Sequence, residues 1–205
     1  FLDSMARFYK LSYDNNVMVY SQRPDANLLA SYNDWNHKVG RRINPGAKSI
    51  AVLDMDDPEA SLTNLFDFSD TNGPPETFEW VLNRVWQLGD EYKPRLVELF
   101  GQLYGLEQSS TEACLHGLVE KHAAKRLPAF LDELEITDET SVLYGMPTDA
   151  VRDTLHILTF HSALYVVFKR CGLNTDFFEH IHAFDSINHI DHTALFGKMG
   201  YAISQ

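Results

Sequence analysis

Cysteine is scarce in this 205-residue chain, which has only Cys114 and Cys171. Two thiols cannot build a disulfide framework, so the sequence predicts reduced cysteines and a cytoplasmic protein. Long apolar runs are lacking too. The longest, Ile157 to Phe168, is interrupted by His161 and falls short of a bilayer span, which predicts no membrane segment. The chain opens on Phe1-Leu2-Asp3-Ser4, with no initiator methionine and no signal-peptide pattern, and so reads as a piece of a longer protein. Basic residues are in deficit: 17 Lys and Arg face 29 Asp and Glu, a formal net charge of −12. Such a surface keeps a protein soluble and repels nucleic acid unless its basic groups are segregated.

Signatures of catalysis are missing as well. There is no Walker phosphate loop, no G-x-S-x-G elbow and no dinucleotide-binding glycine pattern. His116 and His122 flank Glu120 but lie too far apart to share a helical face as the HExxH histidines do. Cys114 and His116 sit on different faces of one predicted helix and form no nucleophile–base pair. The tail gathers His180, His182, His189 and His192 with Asp185 and Asp191. Their spacing is irregular and no thiolate is near, so surface or capping histidines are favoured over a zinc site. Asp54, Asp56, Asp57 and Glu59 offer carboxylates to a divalent cation, but a polar loop between strands is the simpler reading. The expectation is a binding protein without metal or cofactor, not an enzyme.

What is present is an ordinary globular composition, 44% apolar and 22% charged. Residues 1–22 predict two short helices, stopped by Arg23-Pro24 because a residue before proline avoids the helical region. Ser31 is a good N-cap for a short helix ending at Gly40. Arg41 to Leu53 is strand-like, broken by the Asn44-Pro45-Gly46 turn, and Leu65 to Phe68 reads as a returning strand. After Pro74-Pro75 the chain predicts helices over 76–88, 94–104, 111–126, 128–134, 147–171 and about 186–203. The fold class is α+β, predominantly helical with a small antiparallel β-hairpin element in the N-terminal half. Residues 1–73 form a helix–hairpin module and 74–205 a helical bundle packed on it, folding as one cooperative unit.

Charge is unevenly spread. Residues 1–50 carry seven basic and four acidic groups, net +3, and residues 51–205 carry ten and twenty-five, net −15. The basic cluster runs from His37 to Lys48. A single-strand binder needs cations that follow phosphates and aromatic faces that stack bases. Arg23, Lys38, Arg41, Arg42 and Lys48 are the phosphate candidates, with Tyr20, Tyr32 and Trp35 as stacking platforms. For Trp35 a core role is favoured, since aromatics at helical spacing usually supply buried area. A solvated basic face is the plain alternative for the arginines.

The run Ala30 to Asp54 (ASYNDWNHKVGRRINPGAKSIAVLD) resembles the tryptophan, glycine-basic, glycine-lysine pattern of the N-terminal domain of ArdC-like antirestriction proteins. Asn15 to Ala26 (NNVMVYSQRPDA) is similar to the helix preceding it there, and Leu65 to Thr71 (LFDFSDT) to the return strand. The whole chain, with its RCGLN and FDSINHI segments, resembles the front region of large mobile-element proteins. The resemblance implies a single-stranded DNA-binding module of a conjugative or antirestriction protein. That family's protease lies in a later domain with an HExxH motif, which this chain lacks, so no protease activity carries over. The rival reading is an acidic interaction scaffold, a DNA mimic or a dock for a basic protein partner.

Overall fold

In the computed structural model, which describes residues 1–54, 57, 61–77, 88–133, 139 and 144–180, the chain divides into two compact units, Phe1–Trp86 and Gln87–Gln205. It is an α+β protein, mostly helical, with a small antiparallel sheet.

The first unit opens with α1 (Leu2–Arg7) and α2 (Tyr13–Gln22). Ser12 caps α2, its Oγ accepting the Asn15 N–H at 3.2 Å. Pro24 enforces the end of α2 at Arg23, as the sequence predicts. The buried Asn16 side chain reaches the carbonyls of Phe8, Leu11 and Ser12, satisfying the link between the helices from within. The chain then forms β1 (Leu29–Ser31), a π-helical turn (Asp34–Val39), β2 (Arg42–Ile43), β3 (Ile50–Leu53), β4 (Leu62–Asp67) and β5 (Thr71–Asn72). β4 lies between β1 and β3, antiparallel to both, with Ala30 opposite Phe66 and Ile50 opposite Leu65. Phe8, Val19, Ala26, Ile50 and Val52 make the core between α2 and this sheet.

Two features differ from the sequence reading. The segment Arg41 to Leu53 is not one interrupted strand: β2 pairs with β5, Ile43 opposite Thr71, while β3 joins the other sheet. The Asn44–Ala47 turn separates them, closed by the Ala47 N–H on the Asn44 carbonyl at 3.1 Å and by Gly46 at a φ of 84°. The short helix after Ser31 is wound as a π-helix, ending on Gly40 at a φ of 76°.

The outer edge of β3 is covered by side chains of α2. Asn15 donates to the Leu53 carbonyl at 3.0 Å and accepts its N–H at 2.7 Å. Gln22 does the same for Ala51, at 2.8 and 2.9 Å. Two primary amides, spaced along one helix, thus stand in for a neighbouring strand.

The second unit is helical: α3 (Lys93–Tyr104), α4 (Thr111–Glu133) and α5 (Thr148–Cys171). Leu115, Val119, Leu164, Phe168 and Phe178 form its core, where α4 packs on α5. Gly105 and Gly172 end α3 and α5 in the left-handed region. α4 corrects the sequence reading, which ends one helix at Arg126 and starts another at Pro128: the helix runs through Pro128 unbroken. Ala123 and Phe130, both buried, hold it on either side of the proline. The expected helix over 76–88 falls largely outside the described residues. The expected last helix over about 186–203, with His189 and His192, falls wholly outside them, and so does His182.

Candidate nucleic-acid interface

Of the aromatic candidates, Trp35 leaves no face for a base. It is 0% exposed, its Nε1–H donates to the Phe66 carbonyl at 2.8 Å, and its ring lies 6.1 Å from that of Phe68. The π-helical turn is therefore pinned to β4 by its tryptophan, which is the core role. Tyr20 meets the ring of Phe1 edge-on at 5.5 Å. Tyr32, at the entrance to the π-helical turn, is 57% exposed and presents an open ring.

Arg41 is the largest departure from the expected phosphate contacts. Gly40 turns the chain so that the Arg41 N–H closes on the Trp35 carbonyl at 2.8 Å, and the side chain enters the protein. Its guanidinium carbon lies 4.4 Å over the Phe68 ring. Nε donates to Thr71 Oγ1 at 2.7 Å, Nη2 to the Thr71 carbonyl at 3.1 Å and Nη1 to Thr77 Oγ1 at 2.8 Å. The residue is 7% exposed, and burial pulls its pKa below the ordinary arginine value. Gly73 makes room for it, since a Cβ there would stand 2.8 Å from Arg41 Cγ.

Arg23 is likewise engaged. Its guanidinium pairs with the Asp70 carboxylate, donates to Ser69 Oγ at 2.8 Å and lies 3.8 Å from Asp25. Arg23 and Arg41 thus grip the same turn, Phe68 to Thr71, from their own segments of chain. That turn is fixed at its base by Asp67. Its carboxylate accepts from the Asn27, Leu28 and Ser69 backbone N–H groups at 2.7, 3.1 and 3.0 Å and from Ser69 Oγ at 2.7 Å. Burial pushes the Asp67 pKa up, but these four donors outweigh it and hold the carboxyl below its usual range. Phe68, Thr71, Gly73 and Thr77 were not legible as a set, because their common partner, Arg41, is distant in sequence.

The remaining cations face solvent. Alternation along the extended chain turns Arg42 outward where Arg41 turns in. Arg42 and Lys48 are exposed and take part in no ion pair among the described residues. Lys38 is exposed and pairs with Asp34 one turn earlier, whose carboxyl is held low by Lys38 and by the Ser31 hydroxyl. Exposed pairs of this kind are worth about 0–1 kcal/mol, which leaves the lysine free to exchange partners. Gly46 sits at the tip of the Asn44–Ala47 turn, with nothing within 4 Å of where its Cβ would be. The eight candidates therefore divide: Arg23, Trp35 and Arg41 build the unit, Tyr20 packs against Phe1, and Tyr32, Lys38, Arg42 and Lys48 remain on its surface.

Elsewhere, no three His, Cys, Asp or Glu side chains among the described residues assemble as metal ligands. Cys114 and Cys171 are unpaired, and burial pushes both thiol pKa values up. Among the described residues no helix is long and apolar enough to cross a membrane. No protein-family model, curated protein or solved structure matches this chain.

Proposed function

We propose that the first unit is a non-catalytic, single-stranded DNA-binding module of a cytoplasmic antirestriction or mobile-element protein. The observation that carries this reading is the exposure of Arg42 and Lys48, unpaired among the described residues, in the basic cluster His37 to Lys48, which holds no acidic residue. Lys38 lies on the π-helical turn that adjoins β2, and the open ring of Tyr32 stands just before that turn. Cations supply phosphate contacts and Tyr32 a face for one base. The contact set is therefore Tyr32, Lys38, Arg42 and Lys48, with Arg23, Trp35 and Arg41 holding the segments that present them.

Three phosphate contacts on a single strand should give a slope of about −2 for the logarithm of affinity against the logarithm of salt. Fluorescence-anisotropy titrations with labelled single- and double-stranded oligonucleotides measure it. The Arg42→Ala, Lys48→Ala double variant should lose most of the binding with an unchanged circular dichroism spectrum. Tyr32→Ala should cost on the order of 1–3 kcal/mol of binding.

A second reading, an acidic scaffold for a basic protein partner, is favoured by the pairing of Arg23 and Lys38 with carboxylates and by the net charge of −12. Absence of single-strand binding at about 50 mM salt, where phosphate contacts are strong, puts that reading first.

A further inference from the structure

A groove of about 620 Å³ lies in the second unit, between the N-terminal part of α4 and the stretch following α5. Ala113 and Gly117, one turn apart, line it with little side-chain bulk. Phe168 and Phe177 form the opposite wall, rings 5.8 Å apart and steeply inclined at 72°. Along the rim stand Glu112, His116 and Glu120, successive turns of one helical edge.

The carboxylates are poorly neutralised. Glu112 has Lys93 Nζ at 3.8 Å, but that ammonium sits closer to Asp90, at 2.8 Å. Among the described residues Glu120 has only the His116 imidazole, at 3.9 Å, which carries charge only when protonated. No lysine or arginine among the described residues lines the groove. An anion would thus meet two carboxylates, and the one ammonium near them, that of Lys93, is engaged by Asp90. A wholly apolar ligand would strip water from the carboxylates without replacing it. A cation on an apolar stem satisfies both surfaces, since aromatic faces attract positive charge as carboxylates do. The volume is that of a small-molecule site.

We propose that this groove binds a small organic cation, an ammonium or guanidinium on a short apolar stem. Its charge lies at the rim beside Glu120, with Glu112 two turns away adding attraction at longer range, and its stem lies against Phe168 and Phe177. The site is independent of the DNA-binding reading, because it is built wholly from the second unit.

The test titrates the full chain with n-butylguanidinium, by calorimetry and by backbone amide shifts. Pentanoate, of similar length and opposite charge, is the control. A capped tripeptide with one arginine distinguishes a partner's side chain from a free amine as the source. Saturable binding with a Kd on the order of 1 mM is expected for so small a ligand in an open groove. The shifts should concentrate at residues 108–120 and 174–177. The Glu112→Gln, Glu120→Gln double variant should weaken it about tenfold. Phe177→Ala should weaken it severalfold, and Phe177→Tyr should restore it. Any of three results overturns the proposal: pentanoate binding as well as n-butylguanidinium, unsaturable shifts spread over the acidic surface, which would be counter-ion attraction only, or equal binding by the parent and the double variant.

Discussion

Arg41 and Arg42 are neighbours with opposite roles, and substitution separates them. Arg41 gives three hydrogen bonds to Thr71 and Thr77 and covers the Phe68 ring. Its loss leaves the Thr71 carbonyl and a cavity behind, so Arg41→Ala should cost on the order of 3 kcal/mol. Lysine cannot replace the forked donor set, so Arg41→Lys should recover little of this. Arg42→Ala, at an exposed site, should stay within about 0.5 kcal/mol of the parent. Urea unfolding curves decide between these outcomes, and equal effects of the two would remove the structural role assigned to Arg41. Asp67 gives a second residue-scale test. Its folded pKa lies below the unfolded value, so it contributes stability that is complete above the unfolded pKa. That contribution is lost as pH falls through the folded pKa. Asp67→Asn should therefore destabilise by about 2 kcal/mol at neutral pH, from charge-assisted hydrogen bonds lost, and the deficit should vanish in strong acid.

Elements stopped by a local signal were legible in the sequence, and those fixed by a distant partner were not. Pro24 ends a helix through its ring, and Gly40 and Gly172 through the left-handed geometry that a missing Cβ allows, and each stop falls where the sequence places it. β1 and β5 are two or three residues long and exist only because β4 and β2 pair with them, so no periodicity reveals them. Pro128 misleads for the same reason, since packing of Ala123 and Phe130 overrides a local break. At the candidate interface the residue types were legible, and so was the core alternative for Trp35. Which arginine turns inward was not, because that depends on Thr71, Phe68 and Gly73. The α2 amides on β3 are likewise invisible in the sequence and carry a prediction of their own. An uncovered strand edge recruits other strands. The double change Asn15→Ala, Gln22→Ala should therefore cause concentration-dependent association, read by light scattering. A variant that stays monomeric over the same range would show that the amides serve only the fold of α2.

At the scale of the whole molecule, each compact unit has its own core and its own acid-sensitive group. Residues 1–86 hold eight basic and twelve acidic side chains, net −4, and residues 87–205 hold nine and seventeen, net −8. In the second unit, burial lowers the His161 pKa, with the nearby His116 and His156 adding to the effect. The Nδ1 atoms of His156 and His161 are buried with no hydrogen-bond partner among the described residues. A histidine with a depressed folded pKa takes up its proton more readily when unfolded. Its cost is absent above the unfolded value of about 6.5 and grows as pH falls from there toward the folded value. Asp67 in the first unit acts in the same direction, but only in the carboxylate range, several pH units lower. Acid should therefore weaken the second unit first. Two probes separate the units: with Trp80 and Trp86 replaced by phenylalanine, the buried Trp35 reports on the first, whereas the second holds the long helices that dominate far-ultraviolet circular dichroism. On acidification in mild urea, the helical signal should begin to fall at a higher pH than the tryptophan emission changes. His161→Leu should move the helical transition toward the tryptophan one and leave the latter in place. Coincident transitions in the parent would mean that the two cores melt as one cooperative unit, as chain length alone suggests, and the separation argued from their independent packing would fail.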